Sequence, residues 1–212
     1  MSGTGDDLRV EAGAAIDFDR LYELYFDRIF HYVLFRVSDV MEAQDLTSQV
    51  FFKALRGLWR FRWRGGSVGA WLYRIATNEV NSHFRRQRVA RAFVDRERTD
   101  ASASDSPETA DAEAILARHR VYLELSRALR DLRPDEQALI VLRYFQDKSF
   151  TEIAEIFRKR EGTVTMRTHR ALRKLREELE KRGIDHEGFR ESVAGAAEAA
   201  DPGCGIQAKF AR

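Results

Sequence analysis

Residues 99–114 read TDASASDSPETADAEA: five acids, no base, no aromatic and no large aliphatic side chain. Such a stretch cannot bury enough apolar surface to offset the entropy of ordering it, so it is predicted to stay a flexible strap. A chain of 212 residues with that interruption has to fold as two pieces. The expected division is a first module over 15–95, an acidic linker over 96–117, a second module over 118–182 and a disordered tail over 183–212.

Charge is sorted along the same lines. The net charge is only +2, yet FRRQRVARAFVDRER, residues 84–98, holds six arginines against Asp95 and Glu97. RKREGTVTMRTHRALRKLR, residues 158–176, holds eight Lys/Arg against Glu161 alone. Two basic blocks flanking an opposite-sign strap suit a polyanion such as nucleic acid better than two solvated helix faces. No apolar run approaches the roughly 18 residues that suggest a membrane span, so no membrane insertion is expected. The N-terminus lacks a basic start followed by an apolar block and does not read as a secretory signal. One cysteine, Cys204, cannot form an internal disulfide, and the five histidines are scattered without metal-ligand spacing. The expectation is a cytoplasmic protein with no metal and no cofactor.

The apolar pattern is helical in both modules, so the fold class is all-α. Apolar residues at 18, 21, 22, 25, 29, 33 and 37 repeat with the 3.6-residue period. Leu46, Val50, Phe51, Ala54, Leu55 and Leu58 form a second stripe, and Leu72, Ile75, Ala76, Val80 and Phe84 a third. Gly65, Gly66 and Gly69 mark a loop before Trp71. In the second module Ser149 and Glu152 form a capping box, predicting a short helix over about 150–157. A turn of four or five residues and a longer helix from about Gly162 to Leu179 follow, which is a helix-turn-helix pattern.

Each module carries a polar stripe beside its apolar one. On the longer helix of the second module, Thr163, Arg167, Arg170 and Lys174 share one face, while Val164, Ala171, Leu172, Leu175 and Leu179 can face a core. Arginine reads guanine with two parallel hydrogen bonds and further cations neutralise phosphates, so this stripe suits a major groove. In the first module Arg74, Asn78, Asn81, Arg85 and Arg88 form a stripe on the helix that begins near Trp71. Asparagine amides can read a base edge, and nearby aromatics offer faces on which unpaired bases stack. The competing reading is that Trp59, Phe61 and Trp71 fill the core of a small helical domain.

DLTSQVFFKAL, WLYRIATNEVNSHFRR and LRPDEQALIVLRYFQDKSFTEIAEIFRKREGTVTMRTHRALRKLREEL, in this order, resemble a bacterial sigma factor of the sigma-70 family. The resemblance is to the short extracytoplasmic-function (ECF) type, which keeps only regions 2 and 4. It implies a non-enzymatic protein that lends promoter recognition to core RNA polymerase. The helix resembling Glu42–Leu58 would dock on the β′ clamp helices, with Asp45, Leu46, Gln49, Phe52, Lys53 and Arg56 as contacts. The segment from Trp71 to Arg88 would open the −10 element and capture a flipped base, through Trp71, Arg74, Asn78, Asn81, Arg85 and Arg88. Arg160, Thr163, Arg167, Arg170 and Lys174 would read the −35 duplex, with the β flap as the second module's polymerase partner. Such proteins are commonly held inactive by an anti-sigma protein.

Three departures from the family pattern stand out. Ser48-Gln49 replaces a Gln-Glu pair, Val68 replaces an aromatic, and Arg158-Lys159-Arg160 replaces a Gly-aliphatic-Ser/Thr turn. Losing the glycine puts a left-handed helix end in doubt, and losing the cap costs about 0.5–2 kcal/mol. Rival readings are a stand-alone helix-turn-helix regulator that needs no polymerase, a nuclease holding Mg²⁺ on Asp39, Glu42 and Asp45, and a decoy that binds polymerase without DNA. The three added cations predict that duplex binding falls steeply with salt. A titration showing nearly constant affinity would rule that out.

Overall fold

Three helices build the first module, and each begins on a side-chain cap. Asp17 accepts the Asp19 N–H at 3.1 Å and starts α1, Phe18–Val37. Asp39 accepts the Glu42 N–H at 2.8 Å and starts α2, Val40–Leu58. Ser67 accepts the Ala70 N–H at 3.0 Å and starts α3, Val68–Val94. These bonds satisfy amides that a helix leaves unpaired at its N-terminus. The computed structural model describes residues 17–58, 67–94 and 123–184, and among these there is helix and no strand. Trp59, Phe61, the linker and nearly all of the tail lie outside the described residues.

The predicted stripes become the core of this module. Leu21, Tyr25, Ile29, Tyr32 and Val33 from α1 meet Ala43, Leu46, Val50, Phe51 and Ala54 from α2 and Leu72, Tyr73, Ala76 and Val80 from α3. Each large apolar side chain so buried contributes roughly 1.5–3 kcal/mol. Three expectations are corrected. Tyr22 and Leu55 belong to the apolar stripes of α1 and α2 but are 40% and 49% exposed, because each falls on a flank of its helix that turns to solvent. Gly69 was assigned to the loop, yet the Ser67 cap draws it into the first turn of α3.

The second module comprises α4, whose described part is 123–131, then α5, Pro134–Ile140, which continues as a π turn over Val141–Phe145. Pro134 sits at the first turn of α5, where its missing N–H leaves nothing unpaired. The helix-turn-helix follows as α6, Phe150–Phe157, and α7, Glu161–Glu180. The Ser149–Glu152 capping box is present in both directions, at 3.2 and 2.7 Å. Val164, Ala171, Leu172, Leu175 and Leu179 are all buried, as their spacing predicts.

The turn between α6 and α7 is shorter than expected, three residues rather than four or five. Arg158 takes the left-handed conformation, φ 52°, that a glycine would occupy at lower cost. The turn is closed by Lys159 N–H to Ala154 O at 2.9 Å and Arg158 N–H to Glu155 O at 3.2 Å. Arg160 makes no side-chain cap, but Glu161 stands in the first turn of α7, where a carboxylate complements the positive helix end. The Thr151 hydroxyl donates to the Glu161 carboxylate at 2.8 Å and ties the start of α6 to the start of α7.

The modules pack against each other, which the sequence reading did not anticipate. Phe35 and Phe145 meet with ring centroids 4.5 Å apart, and the Tyr73 hydroxyl donates to Gln146 at 2.8 Å. We expect Arg158→Gly to stabilise the protein by about 1 kcal/mol by relieving the left-handed strain; thermal unfolding that gave a lower midpoint for the variant would contradict this.

Candidate polymerase and nucleic-acid interface

On α2 the core-facing side is apolar and the opposite side mixes polar and apolar groups. Asp45, Gln49, Phe52, Lys53 and Arg56 are exposed together on that outer side. Phe52 is 59% exposed and the Arg56 guanidinium lies 5.7 Å from its ring centroid. Leu46 is different: at 2% exposure it is a core residue, so it does not belong to an outward contact set. The sequence reading missed Met41, which is 71% exposed, and Leu55 on the same helix. Met41 stands off the buried period, a signal readable in the sequence, whereas Leu55 borders it and is turned outward by the packing of the neighbouring helices. Lys53 reaches inward as well, pairing at 2.5 Å with Glu79 of α3, whose carboxylate is buried.

Of the three acids on α2 and its start that could hold Mg²⁺, two have other tasks. Asp39 caps α2, and Glu42 accepts from Gln87 at 3.0 Å and meets His83 at 3.2 Å. These bonds fix the N-terminal half of α2 against α3.

The α3 stripe is divided by the second module. Asn78, Arg85 and Arg88 are exposed. Trp71 is half-buried against the core, and its ring packs so close to Gly57 that a Cβ there would lie 3.3 Å from Cζ2. Arg74 donates to the carbonyls of Ile156 and Glu155, both at 2.9 Å. Burial, reinforced by the neighbouring Arg158 charge, pulls the Arg74 guanidinium below its ordinary pKa. Asn81 accepts from Arg36 at 2.7 Å and donates to Asp135 at 3.0 Å. Tyr73, beneath the stripe, is fully buried, and that burial raises its hydroxyl pKa well beyond the usual range.

On α7, Arg160, Arg167, Arg170 and Lys174 are exposed and Thr163 is half-buried. Arg160 precedes the helix and the other four lie along one face, so the predicted cationic stripe is assembled. Lys174 is also paired at 2.6 Å with Glu136 of α5. Burial alone would raise the Glu136 carboxyl, but hydrogen bonds from Lys174 and Arg133 outweigh it and hold the pKa below the ordinary 4.5.

One helical module with an exposed amphipathic face on α2 and a polar stripe on α3, joined to a helix-turn-helix with a cationic second helix, is the build of a DNA-binding transcription protein. The profile for Sigma-70 region 2 matches residues 21–89, and that for Sigma-70, region 4 matches residues 122–175. The chain is 36% identical over 168 residues to the ECF RNA polymerase sigma factor BldN of Streptomyces coelicolor, covering 79% of this chain and 62% of BldN, just under two thirds. It is 32% identical over 164 residues to the RNA polymerase sigma factor YlaC of Bacillus subtilis, covering 76% of this chain and 91% of YlaC. It is 32% identical over 171 residues to the RNA polymerase sigma factor CarQ of Myxococcus xanthus, covering 81% and 94% of the two chains. The fold matches the sigma factor RpoE of Bartonella quintana, solved with the anti-sigma factor NepR, at a TM-score of 0.57 and 23% identity, over 77% of this chain and 97% of that one. The chain belongs to the sigma-70 family of RNA polymerase sigma factors, in its ECF type, with regions 2 and 4. A stand-alone helix-turn-helix regulator is thereby set aside in favour of a transcription-initiation factor. Sigma factors bind core RNA polymerase and promoter DNA, and they are not enzymes.

A group whose folded pKa is depressed adds stability that is complete above its unfolded pKa and disappears as pH falls through the folded value. Glu136→Gln should therefore unfold at a lower temperature than the wild type at pH 7, and the gap should close below about pH 4.5, the ordinary carboxyl value. A gap that widened on acidification would contradict the Lys174–Glu136 assignment.

Proposed function

We propose that this chain docks on core RNA polymerase through the outer face of α2, captures the unpaired −10 strand on α3 and reads the −35 duplex with α7. The observation that carries the proposal is that one folded chain exposes Asp45, Gln49 and Phe52 on α2, Asn78, Arg85 and Arg88 on α3, and Arg167 and Arg170 on α7. Asp45, Gln49, Phe52, Lys53 and Arg56 meet the β′ clamp helices, and Met41 and Leu55 add exposed apolar area beside them. Leu46 supports that face from the core.

Asn78 is the base-reading group, exposed on α3 between Arg74 and Asn81. Arg85 and Arg88 hold the strand's phosphates, and Trp71 stiffens the helix against α2 rather than stacking freely. Extruding a base costs a few kcal/mol, which contacts to the captured strand offset. Arg167 and Arg170 reach guanines or phosphates in the −35 groove, Thr163 and Arg160 approach from the helix start, and Lys174 exchanges Glu136 for phosphate. The second module docks on the β flap. The protein works in the cytoplasm, without catalysis and without a cofactor. RpoE of Bartonella quintana is bound by the anti-sigma factor NepR, and a protein of that kind covering α2 would silence this chain in the same manner.

Run-off transcription with core polymerase on a promoter library tests the proposal directly. The wild type should select defined −10 and −35 sequences. Asn78→Ala should reduce initiation at least tenfold without loss of polymerase binding. Arg167→Ala should weaken initiation by about 5- to 150-fold, corresponding to about 1–3 kcal/mol for a lost two-bond base contact. Phe52→Asp should abolish polymerase binding while the chain stays folded, a cleaner probe than any change at buried Leu46. Wild-type protein that initiated nowhere would overturn the reading.

A further inference from the structure

A cleft of about 600 Å³ opens where the end of α1, the start of α2, the later turns of α3 and the second module come together. Sites for small organic molecules are typically about 300–1,000 Å³. Part of its wall is apolar, with Val37 and Leu132 buried and Phe84 and Pro134 half-buried. Behind that wall the Arg36 guanidinium lies 5.7 Å from the Phe84 ring centroid and donates only to neutral acceptors, on Tyr32, Asn81, Pro134 and Gln137. The charged groups of the cleft itself divide in two. Asp39 and Glu42 are engaged within the chain: Asp39 accepts the Glu42 N–H at 2.8 Å, and the two Glu42 oxygens meet Gln87 at 3.0 Å and His83 at 3.2 Å. Arg88 of α3 and Arg130 of α4 make no hydrogen bond or ion pair among the described residues. Three residues to either side of Arg130, Arg127 is paired with Glu124 and Arg133 with Glu136.

We propose that this cleft binds a small phosphomonoester with a planar or apolar body, its phosphate held by Arg88 and Arg130 and its body laid on Val37, Phe84 and Leu132. The charge of the ligand follows from what the wall has left to offer. Its two carboxylates already accept bonds from the chain, whereas its two guanidinium groups have donors to spare. A phosphate presents three acceptor oxygens to such planar forks, and each fork can bind two of them in parallel. Inorganic phosphate would leave the apolar wall uncovered, and an uncharged ring would leave the guanidinium groups unmatched. Because the two arginines come from different modules, a bound anion spans them and stabilises the folded chain in proportion to its occupancy. A nucleic-acid backbone is the other source of phosphate, and Arg88 was assigned to a strand above. Arg130 belongs to none of the DNA faces and so separates the two sources. The site goes beyond the promoter reading and does not rest on it.

Titration calorimetry on the full chain at constant ionic strength, with AMP and phenyl phosphate as probes, tests the site. Each probe should bind saturably at one equivalent and raise the thermal unfolding midpoint. Adenosine and inorganic phosphate should bind more weakly than AMP by about tenfold or more. Arg130→Gln should weaken both probes by about tenfold or more, with the midpoint of the ligand-free chain unchanged. Arg86→Gln removes the same charge from an exposed position of α3 outside the cleft and should leave both affinities as they are. Equal losses in the two variants would show a diffuse attraction of anions and overturn the site. Failure of both probes to saturate at about 10 mM would overturn it too. Affinity for a random single-stranded DNA pool should be the same in Arg130→Gln as in the wild type. A loss there as large as the loss for AMP would assign the cleft to backbone phosphates and overturn the small-molecule reading.

Discussion

The arrangement of the two modules depends on one buried cation. Arg36 sits where α1 ends, with the α3 surface on one side and α5 on the other, and it bonds to both. Arginine suits this position because its planar group presents five donors in fixed directions, so one side chain can satisfy acceptors on several elements at once. Tyr32 adds a hydroxyl that also joins Thr77 at 2.8 Å, carrying the network down into the first module's core. The neighbouring Phe35–Phe145 contact supplies apolar area but little direction. Orientation therefore comes from Arg36, and adhesion from the rings beside it.

The same economy governs α2 and α3. Lys53 belongs to the outer face of α2, yet its ammonium is tied to buried Glu79, next to Asn78 on α3. Gln87, His83 and Glu42 tie the other ends of these two helices. The outer face of α2 and the polar stripe of α3 are thereby fastened to each other, so a displacement of one is felt by the other. A rigid mounting of this kind is what the proposed reading of a base edge by Asn78 requires, since a loosely mounted amide loses register with its partner.

Much of this is legible in the sequence. The Ser149–Glu152 box predicted where α6 begins, and the spacing of Val164, Ala171, Leu172, Leu175 and Leu179 predicted which side of α7 is buried. Both are local effects, set by residues within a turn or two. The start of α3 was misplaced because three glycines outweighed the single Ser67 cap, and the cap prevailed. Leu55 and Leu46 are both leucines on one helix, and which one points outward depends on where neighbouring helices lie. The inter-module contact was illegible for a stronger reason: Arg36 and Gln137 are separated by 101 positions, and nothing in either residue type announces the other. The left-handed Arg158 shows that a rule of local preference can be overridden when α6 and α7 are both anchored in one core.

At the seam between modules two helix ends face each other with opposite polarity. The amino end of α3 offers its Ser67 amide to Glu155, and the carboxyl end of α6 offers two carbonyls to Arg74. An amide at a helix's amino end and a guanidinium two turns further along form a ready seat for an anion. Here that seat is filled by a carboxylate and a peptide dipole from the chain itself. The seam is in this respect closed by the chain's own acceptors, and any anion seeking either donor would have to displace them.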